Sequence, residues 1–343
     1  MINQFQIKQN KCFIIAEAGV NHNGDLNIAK KLIDKAAEAG ADAIKFQTFK
    51  AENLVTKEAP KADYQRDTTG EGNQFEMLKK LELSEKDHII LKKYCEEKGI
   101  LFLSTPFDFE SVDILEKIDV PLYKVSSGDL TNLPLLKYIA KKQRPIILST
   151  GMANLAEVEE AVYVIWREGN RDVILLHCTS NYPTAYEDVN LRAMITLKEA
   201  FKVPVGYSDH TTGIEVSIAA VALGASIIEK HFTLSRNMIG PDHKASSEPD
   251  EFKYMVDSIR NIEKAMGDGI KRCSEREENT KMVVRKSIVA AKNISKGEFI
   301  RSTDICLKRP QGGLKPKYID DIIGKVAVRD INENEFITFE DIR

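Results

Sequence analysis

The sequence predicts an α/β fold: a (β/α)8 TIM barrel followed by a small, mainly β domain of short strands separated by tight turns. Three observations carry this reading. Eight short apolar, β-branched runs recur between residues 12 and 266, each followed by an amphipathic segment, the rhythm of βα units around a parallel sheet. Each run begins apolar and ends in polar, glycine or proline residues, so polarity gathers at the C-terminal ends of the strands. No G-x-G-x-x-G loop is present, which argues against an open dinucleotide-binding sheet.

In order, the strands read CFIIAEAG (12–19), DAIKFQT (42–48), ILFLSTPF (100–107), PLYKVSSG (121–128), RPIILSTG (144–151), DVILLHCTS (172–180), VPVGYSDH (203–210) and SIIEKHFT (226–233). The helices between them carry their own punctuation. DLNIAKKLIDKAAEAG opens on Asp25, repeats apolar residues at Ile28, Leu32, Ile33 and Ala36, and stops at Gly40. SEKDHIILKKYCEEKG starts with Ser84 and Asp87 as a capping box and ends at Gly99, and His88 is expected to face solvent on it. The barrel is assigned to 1–267, a charge-dense linker to 268–282 and the second domain to 283–343. A domain of roughly 60 residues has a marginal core, so docking within a homo-oligomer is expected.

Composition narrows the function classes. The formal charge of −3 and pI near 6.2 give no electrostatic footprint for nucleic acid or an anionic membrane, and neither partner is expected. Five cysteines, an odd number without a C-x-x-C pair, point away from a disulfide framework and toward a reducing, cytoplasmic setting. The start MINQFQIKQNKC lacks the features of a leader, and no run approaches the length of a membrane span.

Side chains alternate faces along a strand, so Ile227, Glu229 and His231 share one face of the eighth strand and Lys230 points the other way. The same rule groups Gly206, Ser208 and His210 on the seventh. Two imidazoles on neighbouring strand ends can hold one divalent cation, whereas either alone reads as a hydrogen-bonded rim residue. Glu229 either orients His231 or pairs with Lys45 or Lys124. Those two lysines, at the ends of the second and fourth strands, converge on the same barrel end and call for carboxylates or an anionic substrate. Hydroxyls recur there too: Ser104, Thr105, Ser126, Ser127, Ser149, Thr150 and Ser208. Glu17, Asp129 and Asp242 are carboxylates placed to act as base, hydroxyl anchor or cap. His22 reads as a loop-rim residue, His177 as a packed strand residue, and His243 is undecided.

Together AEAGVNHNGD, IKFQT, LSTPFD, YKVSSGD, ILSTGM, LLHCT, YSDHT, EKHFT and GPDH closely resemble the sialic acid synthase family, and the tail with KGE and KRP resembles its antifreeze-like (SAF) domain. The resemblance covers nearly the whole chain. It implies condensation of phosphoenolpyruvate with an N-acetylated mannose-type sugar, with N-acetylneuraminate as the first expected product and N,N′-diacetyllegionaminate as the alternative. A divalent metal, usually manganese, with magnesium or cobalt as substitutes, would be bound by His210 and His231. Phosphoenolpyruvate would be held by Lys45, Thr105, Lys124, Ser127, Ser149 and Ser208. Sugar contacts are implied for Gln47, Tyr182 and Asp242, and for Arg309 donated across a domain-swapped homodimer. Glu17 would stabilise the positive centre that develops, and a carboxylate-assisted water is the family's hydrolytic element. Departures are Asp129 where the family usually has Glu, Ser180 and Ala185 in the stretch after HCT, and KRPQGG around Arg309.

Overall fold

The computed structural model describes residues 11–343; residues 1–10, on which the expectation of no leader segment falls, lie outside the described residues. The chain forms two compact units, Met1–Gly267 and Asp268–Arg343. In the first unit come β1 (Phe13–Gly19), α1 (Leu26–Glu38), β2 (Ala43–Thr48), α2 (Ala51–Leu54), α3 (Asp63–Thr69), α4 (Gln74–Lys79), α5 (Glu85–Lys98), β3 (Leu101–Pro106) and α6 (Phe109–Lys117). They are followed by β4 (Tyr123–Val125), α7 (Leu133–Ala140), β5 (Ile146–Ser149), α8 (Leu155–Arg167), β6 (Val173–Cys178), α9 (Ala193–Phe201), β7 (Val205–Asp209), α10 (Glu215–Ala222), β8 (Ile227–His231) and α11 (Pro249–Met266).

All eight expected strands form. They pair in parallel in the order β3-β2-β1-β8-β7-β6-β5-β4, and β3 packs beside β4 to close the cylinder. The barrel interior is built in two levels. Ile15, Ala43, Leu103, Leu122, Ile147, Leu176 and Ile227 form a dry apolar plug. Two residues further along the same strands the inward side chains become Glu17, Lys45, Thr105, Lys124, Ser149, Cys178 and Glu229, which line a cavity. Strand period two therefore turns one step of sequence into a change from hydrocarbon to charge. On β7 the plug level is Gly206, where a Cβ would sit 2.4 Å from the Ile227 carbonyl oxygen and 2.7 Å from Leu176 Cδ2, so no side chain fits.

The outward strand faces pack against the helices through residues such as Ile14, Ile44, Phe46, Tyr123, Leu148, Leu175, Tyr207 and Ile228. Asp25 starts α1 by accepting from the backbone N–H groups of Asn27 (2.6 Å) and Ile28 (3.3 Å), and the helix buries Ala29, Leu32, Ile33 and Ala36. α5 carries the reciprocal Ser84–Asp87 box and ends on left-handed Gly99. Its His88 is fully buried, contrary to expectation, because α5 turns His88, Leu91 and Cys95 inward and leaves Ile89 and Ile90 exposed. His88 bonds Thr48 Oγ1 at 2.8 Å and the Ser84 carbonyl at 2.8 Å.

Between β2 and α5 the chain inserts α2, α3 and α4. Met77 and Leu81 from this insertion join Val20 and Phe49, with Leu54, Leu78 and Phe107, in a separate apolar cluster. Among the described residues no helix is long and apolar enough to cross a membrane.

The second unit contains α12 (Glu278–Val284), β9 (Ser287–Ala290), β10 (Ile305–Lys308) and α13 (Ile319–Ile322). β9 and β10 are antiparallel, and isolated bridges such as Val289–Phe336 and Ile294–Ile331 extend the pairing. Ile288, Ala290, Ile294, Ile300, Ile305, Leu314, Ile322, Ala327, Ile331 and Ile337 form its core. The stretch expected as linker is largely exposed and already winds into α12 near its end.

Candidate active site

A cavity of about 520 Å³ opens at the C-terminal ends of the barrel strands. It brings together Glu17, Lys45, Gln47, Thr105, Lys124, Ser127, Ser149, Tyr182, Ser208, His210, His231 and Asp242. Three barrel residues singled out in the sequence, Ser104, Thr150 and Asp129, are placed elsewhere: Ser104 Oγ bonds Thr48 Oγ1 at 2.7 Å, and Thr150 Oγ1 donates to the Leu176 carbonyl at 3.0 Å. Asp129 is buried but absent from the cavity wall, because its carboxylate accepts from Ser126 Oγ (2.8 Å) and Asn132 Nδ2 (3.2 Å) in the turn after β4. Arg309 belongs to the second unit and is exposed.

The floor of the cavity is an ionic layer. Lys45 Nζ lies 2.6 Å from Glu17 Oε2 and 3.8 Å from Glu229 Oε2, and donates to Thr105 Oγ1 at 3.0 Å. Lys124 Nζ lies 3.3 Å from Glu229 Oε1 and donates to Ser149 Oγ at 2.8 Å. Ser208 Oγ donates to Glu229 Oε1 at 3.0 Å. Glu229 thus bridges both lysines, the second of the roles considered for it. Burial alone would raise its carboxyl, but Lys124 and Lys45 outweigh burial and hold it near 2. For Glu17 the balance reverses: burial pushes it up to about 7 against the pull of Lys45. Burial lowers Lys124, and Lys45 lowers it further.

The two imidazoles meet above this floor. The rings of His210 and His231 are 5.4 Å apart, and Tyr182 lies over His210 at 4.3 Å and edge-on to His231 at 5.5 Å. Burial lowers both histidines, and the His210 ring and Lys45 lower His231 further, which favours the neutral imidazole in each. His210 Nδ1 lies 2.6 Å from the Thr179 carbonyl oxygen and donates to it, which leaves the lone pair on Nε2. His231 Nδ1 is buried without a hydrogen-bond partner. Neutral rings, one fixed in its tautomer and one with an orphaned nitrogen, suit a shared divalent cation. Among the described residues no group of three His, Cys, Asp or Glu side chains forms a ligand set, so such an ion would complete its shell with water or substrate.

Behind the imidazoles, on the outer face, Asp209 Oδ2 accepts from Lys230 Nζ (2.9 Å) and Ser217 Oγ (2.6 Å), while Lys230 also donates to the Thr211 carbonyl (2.8 Å). Lys230 does point away from the cavity, as alternation requires.

The remaining histidines are supporting residues. His22 is fully buried rather than on the rim; its Nδ1 accepts from the Gly24 N–H, and burial lowers it to about 4. His243 is buried against Thr233 Oγ1 at 2.7 Å. His177 bonds the Val189 carbonyl at 2.7 Å. Sequence reasoning missed Cys178, whose Sγ lies 3.0 Å from Ser127 Oγ and which the two-residue step from Leu176 would have found. It also missed the apolar wall formed by Val20, Met77, Leu78, Leu81 and Phe107, which carries no polar signal.

A closed (β/α)8 barrel with an ion-bearing cup at its C-terminal end defines a class of barrel enzymes. Residues 32–271 match the NeuB family and residues 285–343 match the SAF domain. The N,N′-diacetyllegionaminic acid synthase of Campylobacter jejuni is 54% identical over 330 residues, 95% of this chain and 99% of that protein. The enzyme of the same name from Legionella pneumophila is 48% identical over 336 residues, 96% of this chain and 94% of that protein. Among solved structures, the N-acetylneuraminic acid synthetase of Leptospira borgpetersenii, in complex with citrate, aligns with a TM-score of 0.70 at 40% identity, over 79% of this chain and 90% of that one. The chain belongs to the NeuB family, that of the sialic acid synthases, and is an enzyme of the nonulosonate synthase kind.

Proposed function

We propose that the protein condenses phosphoenolpyruvate with 2,4-diacetamido-2,4,6-trideoxymannose and releases phosphate, acting as an N,N′-diacetyllegionaminate synthase. The observation that carries this choice is the identity of 54% and 48% to two enzymes of that name over nearly the full chain, against 40% to a named N-acetylneuraminic acid synthetase. N-acetylmannosamine, the first expectation from the sequence, becomes the second reading.

The geometry supports the chemistry as follows. Lys45 and Lys124, with Thr105, Ser127, Ser149 and Ser208, offer cations and hydroxyl donors to the phosphate and carboxylate of phosphoenolpyruvate. Gln47, Tyr182 and Asp242 are left to the sugar. His210 and His231 would hold the divalent cation, manganese by preference, which when bound polarises the sugar aldehyde oxygen. The C2–C3 π electrons of the enol phosphate form the new bond from C3 to the aldehyde carbon, which becomes a secondary alcohol. C2 is left electron-poor, and Glu17 faces the cavity as the carboxyl able to stabilise it. Water adds to C2, one proton passing through Glu17 to the alkoxide left at the former aldehyde carbon, and the tetrahedral adduct breaks its C2–O bond to expel phosphate, which carries off the remaining hydroxyl proton as the α-keto acid forms. Glu17 is preferred over Asp129 for this proton because Asp129 is held in its turn and does not reach the wall. The free cysteines, of which Cys12, Cys95 and Cys178 are buried, support a reducing compartment.

Phosphate release is measured with manganese, phosphoenolpyruvate and each sugar, with and without chelator. Release that needs no sugar would refute the condensation, and preference for N-acetylmannosamine would favour the second reading.

A further inference from the structure

Most polar groups of the cavity come from the strands, yet one side of it is built differently. The β2–α5 insertion contributes Ala62, Gln65, Gln74, Met77, Leu78 and Leu81 to the lining, and none of these is charged. Met77 and Leu81 are more than nine-tenths buried and are backed by Phe49, Leu54 and Phe107. The two amides engage each other, Gln74 Nε2 donating to Gln65 Oε1 at 3.4 Å. The result is an apolar shelf with neutral amides beside it.

The shelf belongs to one end of the cavity. A Cβ built on Gly19 would lie 3.2 Å from Glu17 Oε1, 3.4 Å from Gln47 Nε2 and 3.7 Å from Asp242 Oδ2, so the two polar groups assigned to the sugar meet there. Val20, the next residue, lines the cavity and joins the shelf cluster. Thr68 Oγ1 on α3 donates to the Pro241 carbonyl at 3.4 Å and ties the insertion to the loop that carries Asp242. Of the donors assigned to phosphoenolpyruvate, Lys124 and Ser149 stand on β4 and β5, whereas Lys45 and Thr105 stand on β2 and β3, with Lys45 one level below Gln47 on the floor of the cup.

We propose that this shelf, Val20 with Met77, Leu78 and Leu81, determines sugar choice by receiving the C6 methyl and the C4 acetamido methyl of the 2,4-diacetamido-2,4,6-trideoxy sugar. The inference rests on the function proposed above. In an open-chain sugar the aldehyde is C1, so C4 and C6 lie away from the reacting end, where a shelf can select without touching the chemistry. A methyl placed on hydrocarbon gains burial, whereas the C6 hydroxyl of N-acetylmannosamine at the same place gives up water without a partner. A difference of this size discriminates by about 10- to 200-fold.

The test compares kcat/KM for the two sugars in the wild type, Leu78→Asn and Leu78→Met, with thermal melting and the KM for phosphoenolpyruvate measured alongside. Leu78→Asn is expected to lower the ratio of kcat/KM, diacetamido sugar over N-acetylmannosamine, by about tenfold or more, and Leu78→Met to keep it. Val20→Thr, which conserves volume, reads the same ratio if Leu78→Asn does not fold. An unchanged ratio, or equal loss with both sugars, in a wild type that uses the diacetamido sugar overturns the shelf and leaves the function standing. A wild type that releases phosphate with neither sugar overturns both.

Discussion

Asp209 and Lys230 face each other across β7 and β8 in register, joined at 2.9 Å on the outer side of the barrel, one residue before His210 and one before His231 respectively. Each strand therefore carries a charge outward and an imidazole inward at consecutive positions. Asp209 is fully satisfied by Lys230, Ser217 and the Thr211 N–H and hydroxyl, so the pair is a closed polar network in a dry layer.

Removing one partner leaves the other buried and alone. Lys230→Met is expected to destabilise the barrel by about 3–5 kcal/mol, and the double variant Asp209→Leu/Lys230→Met to recover much of that loss, as read by chemical denaturation. Equal destabilisation in single and double variants would contradict the pair's role.

His210→Ala is expected to lose bound manganese, measured by electron paramagnetic resonance, and to lower turnover by more than about 100-fold together with it. His231→Ala should behave likewise. Chelator should abolish phosphate release from the wild type, and activity that survives complete metal removal would rule out the two-histidine site.

The two carboxyls should separate cleanly. Glu17→Gln is expected to reduce kcat by about 100- to 10,000-fold and, because it removes the nearer carboxylate from buried Lys45, to lower the melting temperature as well. Asp129→Asn is expected to lose on the order of 1 kcal/mol of stability, from its bonds to Ser126 and Asn132, and to keep kcat within a few-fold. The reverse pattern would return the hydrolytic proton to Asp129.

Burial raises Asp242 from 3.8 to about 6, and nothing on the cavity wall offsets it. Its folded-state proton is held more tightly than in the unfolded chain, so this group makes stability fall as pH rises from about 4 to about 6, by at most on the order of 3 kcal/mol. As an acceptor for a sugar hydroxyl it works ionised, so sugar affinity should rise over the same range. Asp242→Asn should remove the stability penalty at pH 8 and also weaken sugar binding; calorimetry at pH 5 and 8 checks both.

Arg309, exposed on the second unit, is expected to act only within a homodimer. Light scattering should show a dimer, and Arg309→Ala should raise the KM for the sugar more than that for phosphoenolpyruvate. A fully active monomer would remove this arginine from the site.

How much of this was legible follows from physics at particular residues. The strands were readable because each passes from hydrocarbon to polar groups at its C-terminal end, as Ile15 to Glu17 and Ile227 to Glu229 do, and alternation then grouped His210 with Ser208 and His231 with Glu229. His88 was misread because Ile89 and Ile90 look like the buried stripe of α5, yet the helix meets its neighbours through His88, Leu91 and Cys95. The turn at Asp129 gave no sign of which way its carboxylate would bend. Met77 and Leu81 were invisible as site residues because a wall of hydrocarbon in an inserted segment resembles any other core.

The carboxylate that faces Lys124 stands on β8, the last barrel strand to leave the ribosome. Until Glu229 arrives, a seven-stranded nascent chain would have to enclose that ammonium group with only Glu17, already paired to Lys45, to offset it, which disfavours premature closure. Closing the cylinder and neutralising its floor thereby fall to the same strand, with α11 and the whole second unit still to be made.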